Sequence, residues 1–196
     1  MVVAPDDDAV LMRAAQTDPA PFGTLFDRHF AAIYRFCERR VGPDMAEDAA
    51  GETFRRAFEA RYTYDLSHSN SRPWLYRIAL NVIRDALRAR AAEDRAYARM
   101  AALAGSRSTI GDDEVSGRAE ARSDLAALAR LLLEEPADDV EALFLTVWDG
   151  LSYLDVATVL RVPVGTVRSR LSRLRRRLEA GLETASNAPP NVTEKE

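Results

Sequence analysis

Lysine is almost missing from this 196-residue chain: of its 27 Lys and Arg residues only Lys195 is a lysine. So uniform a preference for arginine can follow from genome composition and carries no functional meaning by itself. Cysteine is confined to Cys37, which excludes an internal disulfide. Within "YRFCERR" it reads as a small buried hydrophobe rather than a nucleophile. There are two histidines, His29 and His68, and with one cysteine they give no metal-ligand spacing. No Gly-rich phosphate loop and no catalytic constellation are found, so neither an enzyme nor a cofactor is expected. Long apolar runs are lacking, which excludes a helical membrane span. The start, "MVVAPDDDAVLM", is acidic and has no basic segment leading an apolar one, so no signal peptide is expected and the protein is placed in the cytoplasm. Alternating β-branched runs are also lacking. Ala, Leu, Arg and Glu dominate, and the chain reads as all-α.

The apolar periodicity predicts a short helix over 7–17 and a second from Pro21 to about Val41. In the second, Phe22, Leu25, Phe26, Phe30, Ile33, Tyr34 and Cys37 form one stripe. A third helix is expected from Asp44 as N-cap, with Glu47 in the capping-box position. The polar segment "RYTYDLSHSNSR" reads as a loop, and Pro73 opens a long fourth helix. There Trp74, Leu75, Ile78, Val82 and Leu87 are core candidates, with Arg77, Asn81, Arg84 and Arg88 on another face. Residues 104–122 are rich in Gly, Ser and charge. The expected organisation is two small helical domains, 8–95 and 123–182, joined by a flexible linker at 96–122, with a disordered tail at 183–196.

Charge is distributed unevenly. The net charge is −4, yet "VPVGTVRSRLSRLRRRL", residues 162–178, carries six arginines and no acid. With the preceding "LSYLDVATVL" it has the form of a helix-turn-helix. Ser152 and Asp155 make a capping box, the turn is "RVP", and Val167, Leu171, Leu174 and Leu178 make the buried stripe of the second helix. Gly165, Arg168, Ser169, Ser172, Arg173 and Arg176 then face outward. Small residues allow close approach and arginines pair with phosphate or a guanine edge. A solvated basic face, or one that binds a membrane or an acidic partner, has the same pattern.

The stretch "GLSYLDVATVLRVPVGTVRSRLSRLRRRL" resembles region 4.2 of bacterial extracytoplasmic-function (ECF) sigma factors. "DMAEDAAGETFRRAFEA" is similar to region 2.2 of that family, and "RPWLYRIALNVIRDALR" to regions 2.3 and 2.4. The resemblance covers roughly residues 8–182, with three motifs in the family's order. It implies a factor that binds bacterial RNA polymerase core and promoter DNA and promotes initiation, with no membrane contact of its own and an anti-sigma protein as a family expectation. Glu47, Asp48 and Glu52 match the family's polymerase-binding surface. Asn81 matches the family's Asn, and Arg77, Arg84 and Arg88 are expected to supply phosphate or base contacts at the −10 element. The loop Tyr64–Arg72 corresponds to the family's segment that holds a flipped −10 base, where Asp65, Ser67, His68 and Asn70 offer polar groups. Gly165, Thr166, Arg168, Ser169, Ser172, Arg173 and Arg176 lie in the stretch that resembles the family's −35-binding helix, and Arg161 in the turn before it is expected to add a phosphate contact.

Three positions depart from the family. Gly51 stands where Gln is usual, Arg161 where a turn Gly is frequent, and Asp138 and Asp139 where basic or neutral residues are common. Two other readings stay open at this point: a dimeric helix-turn-helix regulator with its own promoter specificity, and an all-helical RNA-binding or membrane-surface adaptor.

Overall fold

A computed structural model describes residues 7–103 and 128–186, with side chains over 7–95 and 128–182. All regular structure among them is helical, in two compact units whose division falls between Ile110 and Gly111.

The first unit begins with α1 (Asp8–Ala15), capped by the Asp7 carboxylate, which accepts from the Ala9 N–H at 2.9 Å. Next comes α2 (Ala20–Val41), whose inner face is Phe22, Leu25, His29, Ile33, Phe36 and Cys37. This corrects the predicted stripe. Phe26 is exposed and Phe30 and Tyr34 are half-buried, while His29 and Phe36 point inward. The inward turn is possible because His29 finds a buried carboxylate, Asp8, at 2.9 Å. The displaced aromatics are not lost to water. Phe26 packs on Phe30 and Phe54 with ring centroids 4.8 and 4.9 Å away.

Gly42, at φ +80°, ends α2 and starts α3 (Pro43–Glu59). That φ suits a residue without Cβ, and Pro43 has no N–H to leave unsatisfied at the helix start. Asp44 therefore lies in the first turn and not at the cap. The expected Asp44–Glu47 capping box does not form, although Asp44 still faces the positive end of the helix dipole. A 3-10 turn (Arg61–Thr63) leads to the loop before α4 (Arg72–Leu103). Trp74, Leu75, Val82 and Ile83 of α4 are buried, Ile78 is half-buried, and Leu87 is 45% exposed. From Leu87 to Arg95 every side chain but Ala91 is exposed, because α4 outruns the helices that cover its first half. It continues through 96–103, where a linker was expected. The remaining linker residues, 104–122, lie outside the described residues.

The second unit contains α5 (residues 128–134), α6 (Ala137–Val147), α7 (Tyr153–Leu160) and α8 (Val164–Ser186). Its core is Ala142, Leu145, Leu151, Val156, Val159, Val167, Leu171 and Leu174. A fully buried leucine such as Leu174 is worth about 2–5 kcal/mol against alanine. Helix α8 includes 183–186, the first residues of the expected tail. Residues 187–196 lie outside the described residues.

Candidate nucleic-acid interface

The α7–α8 pair is set by local chemistry. Ser152 Oγ accepts from the Asp155 N–H at 3.2 Å, and Asp155 Oδ2 accepts from the Ser152 N–H at 3.2 Å and its hydroxyl at 2.7 Å, so the capping box is complete. At the other end of α7 the chain turns at Arg161, in the left-handed region at φ 55°, ψ 45°. It is the one non-glycine residue with positive φ among the described residues. The Val162 N–H donates to the Ala157 carbonyl at 3.1 Å and closes the turn. Helix α8 then buries Val167, Leu171 and Leu174 and half-buries Leu178. Gly165, Arg168, Ser169, Ser172, Arg173 and Arg176 are exposed together, and Thr166 is half-buried beside them.

The six arginines separate into two groups. Arg170 reaches Asp138 and Asp139 of α6 at 3.4 and 3.5 Å, and Arg177 reaches Glu135 at 2.8 Å and Asp139 at 3.3 Å. These two tie α8 to the start of α6. Arg168, Arg173, Arg175 and Arg176 have no carboxylate partner among the described residues. The outward face therefore keeps its positive charge, while the side against α6 is neutralised.

In the first unit, Asp48 and Glu52 of α3 line one groove with Met45, Arg56, Val82 and Asp85. Glu47 is exposed and lies off that groove. Glu52 is held by Arg55 at 2.6 and 2.8 Å and by Arg56 at 2.7 Å. The Arg55 hydrogen bonds, then that of Arg56, pull its carboxyl down to about 2. Arg56 continues to Asp85 of α4 at 2.8 Å, and Asp85 pairs in turn with Arg88. Arg88, read as a −10 contact, is thus part of an ion-pair network that spans α3 and α4. Arg77 is half-buried, whereas Asn81 and Arg84 are exposed on the same helix.

The loop before α4 exposes Asp65, Ser67, His68 and Asn70. Two of these also shape the backbone. Asp65 Oδ1 accepts from the Ser67 N–H at 3.0 Å, and Asn70 Oδ1 accepts from the Arg72 N–H at 3.0 Å. Trp74 is 7% exposed and packs edge-on against buried Tyr64, centroids 5.4 Å apart, so it belongs to the core.

Two family profiles match this chain: Sigma-70 region 2 over residues 25–93 and Sigma-70, region 4 over residues 125–178. The chain is 31% identical to the RNA polymerase sigma-H factor of Pseudomonas aeruginosa, an alignment covering 93% of this chain and 97% of the relative. It is 29% identical to the ECF RNA polymerase sigma factor SigW of Bacillus subtilis, over 84% and 90% of the two chains.

The chain belongs to the ECF sigma factors.

Two solved structures share its fold. CnrH, determined in complex with the cytosolic domain of CnrY, aligns with a TM-score of 0.61 at 28% identity, over 91% of this chain and 99% of that one. RpoE of Bartonella quintana, determined with the anti-sigma factor NepR, aligns at 0.57 and 26% identity, over 83% and 96%. With both sigma-70 regions matched in order, the dimeric-regulator reading is set aside. A sigma factor is a transcription-initiation subunit that associates with RNA polymerase core and promoter DNA. Among the described residues of this one, no helix is long and apolar enough to cross a membrane, and no group of His, Cys, Asp and Glu is placed to hold a metal.

The family departures acquire physical meaning. Asp138 and Asp139 of this sigma factor are the internal partners of Arg170 and Arg177. Gly51 is exposed in mid-helix with open space where a Cβ would stand. Sequence reasoning missed one cluster altogether: Asp8, Arg28, His29 and Ser71 converge within the first unit. Asp8 is followed by His29 at a separation of 21 and by Ser71 at 63, and no local periodicity signals contacts at that range.

Proposed function

We propose that this sigma factor reads the −35 element with the outer face of α8 and the −10 element with α4 and the 64–71 loop. Core polymerase is held through the acidic face of α3, Glu47, Asp48 and Glu52. The observation that carries the reading is the division of arginines on α8. Two are consumed by carboxylates at or just before the start of α6, Glu135, Asp138 and Asp139, while Arg168, Arg173 and Arg176 remain beside Gly165, Ser169 and Ser172, a face shallow enough for a major groove and charged for phosphate. Thr166 and Arg161 border this face at its N-terminal end.

On the α4 side, Arg77, Asn81 and Arg84 approach the duplex and Arg88 contacts it from within the Asp85 network. Asp65, Ser67, His68 and Asn70 offer polar groups to a base leaving the stack. Capture of unpaired bases offsets the cost of unstacking, so melting is driven by binding and the protein makes no bond itself. Its place is the cytoplasm, with the polymerase. The Bartonella relative's complex with an anti-sigma factor supports control of this chain by such a partner. The domain division that fits this work is 8–95 for polymerase and −10 binding and 123–182 for −35 binding, joined through 96–122.

The test is reconstituted transcription: purified protein with sigma-free core polymerase on a library of genomic fragments. Start-site-selective RNA that needs both components is expected, with weak specific binding by the protein alone, since its net charge is negative. Strong specific binding without polymerase, or no selective RNA with it, overturns the reading.

A further inference from the structure

Asp8 is a buried carboxylate, 2% exposed, that joins three separate parts of the first unit. Its Oδ2 accepts from His29 Nε2 at 2.9 Å, from the Ser71 N–H at 2.8 Å and from the Ser71 hydroxyl at 2.7 Å. Its Oδ1 pairs with Arg28. Its own N–H donates to the Ser69 carbonyl at 2.9 Å. Two of these three bonded partners in the loop are backbone groups, so Asp8 fixes the course of the chain at Ser69 and Ser71 as well as one side chain. The loop is held at its other end too. Tyr64 is buried, its ring lies against Trp74, and its hydroxyl donates to the His68 carbonyl. The backbone is thus fastened from inside, while Asp65, Ser67, His68 and Asn70 stay exposed on the outside. A buried charge is expensive unless paired and hydrogen-bonded, and an ordinary surface loop needs none.

We infer that Asp8 is a positioning residue for promoter opening: it holds the 64–71 loop in the shape in which the outward polar groups receive an unpaired −10 base. This rests on the reading of that loop as a −10 contact. Asp8 touches no DNA, and its effect passes through Ser69 and Ser71. A loop left free to wander would still allow the sigma factor to bind core polymerase and the −35 element, but it would capture the unpaired base less well.

The experiment compares wild type, Asp8→Asn and Ser71→Ala as full chains with core polymerase, on the promoter found in the genomic-fragment assay. Ser71→Ala is the milder change, because it leaves Asp8 with Arg28 and His29. Hydrogen–deuterium exchange is read over 64–72, core affinity by titration, and promoter opening by permanganate reactivity on duplex DNA and on a template already mismatched at −10. Faster loop exchange in both variants is expected, with core affinity unchanged. Opening of duplex promoter should fall about tenfold in Asp8→Asn, the size of losing hydrogen bonds to a charged group, and less in Ser71→Ala. The pre-opened template should restore most of it. Unchanged exchange overturns the fastening. Faster exchange with normal opening, or a loss of core binding equal to the loss of opening, overturns the positioning role. Failure of the wild-type arm to open any promoter overturns the −10 reading and the role with it, while the exchange arm still reports on the fastening separately.

Discussion

Arg177 places its Nε midway between the two carboxylate oxygens of Glu135, 2.8 Å from each. One helical turn earlier on α8, Arg173 has no such partner among the described residues. The two arginines look alike in the sequence, and the structure gives them different work.

Arg173→Ala and Arg168→Ala should leave thermal unfolding of the protein unchanged and weaken −35-dependent initiation. An arginine that reads a guanine is worth about 1–3 kcal/mol. Arg177→Ala should do the opposite: a small drop in the unfolding midpoint, with little change in initiation on a strong −35 element. Unfolding curves and run-off transcription on the same four proteins decide it. A larger promoter defect in Arg177→Ala than in Arg173→Ala would mean that the α6 carboxylates release their arginines on DNA.

Arg161 occupies a left-handed cap where glycine is at ease. A side chain there costs about 1 kcal/mol, and Gly has no Cβ to clash. Arg161→Gly should therefore raise stability by roughly that amount. If the arginine is kept because it meets a phosphate, the same substitution should lower promoter affinity at low salt and reduce the salt slope by about one. Urea unfolding and a salt titration of holoenzyme binding measure the two effects. A stabilised protein with an unaltered salt slope removes Arg161 from the DNA contacts.

How much of this was legible in the residues depends on range. The Ser152–Asp155 capping box and the Val167–Leu171–Leu174 stripe are local, and their spacing alone predicts them. The Asp44–Glu47 box looks equally good by spacing, but Gly42 as cap and Pro43 start α3 two residues earlier and leave Asp44 inside the first turn. The inner face of α2 was misjudged for another reason. Hydrophobicity favours Phe26 and Phe30 over His29, and only the distant Asp8 reverses that order. The sorting of arginines on α8 was hidden in the same way, because the acids that neutralise Arg170 and Arg177 lie more than 30 residues upstream. The outward set of Gly165, Arg168, Ser169, Ser172, Arg173 and Arg176 was readable, since 3.6 residues per turn fixes which side chains lie opposite a buried stripe.

The acidic face of α3 should not act as three equal charges. Glu52 is gripped by Arg55 and Arg56, and Arg55 also reaches Glu59. Asp48 has no ion pair among the described residues. Asp48→Ala should therefore weaken core polymerase binding by on the order of 1 kcal/mol, and Glu52→Ala by less, because its charge is already shared. Promoter selectivity of the remaining complexes should be unchanged. Titration of labelled protein with core polymerase measures the ranking. Equal losses, or none, would move the polymerase contact off this groove.

The Asp8 cluster has a pH signature with a definite sign. Burial by itself pushes the Asp8 carboxyl up, but the hydrogen bond from His29, both donors of Ser71 and the electrostatic attraction of His29 outweigh it and hold it well below the usual carboxylate range. The groups facing it are Arg28, His29 and, more distantly, Tyr64. A carboxyl whose folded value is depressed binds fewer protons in the folded than in the unfolded chain. Its stabilising contribution is then complete above the unfolded titration, about pH 4, and is lost as pH falls below that. Asp8→Asn should be less stable than wild type at neutral pH, and the two stabilities should converge in acid. Glu52→Gln should change this slope less, since Glu52 is only half-buried and solvent screens its pairs. Urea unfolding at pH 7, 4 and 3 provides the comparison. Parallel curves for wild type and Asp8→Asn would show that the carboxylate form contributes nothing special, and that the cluster is held by shape alone.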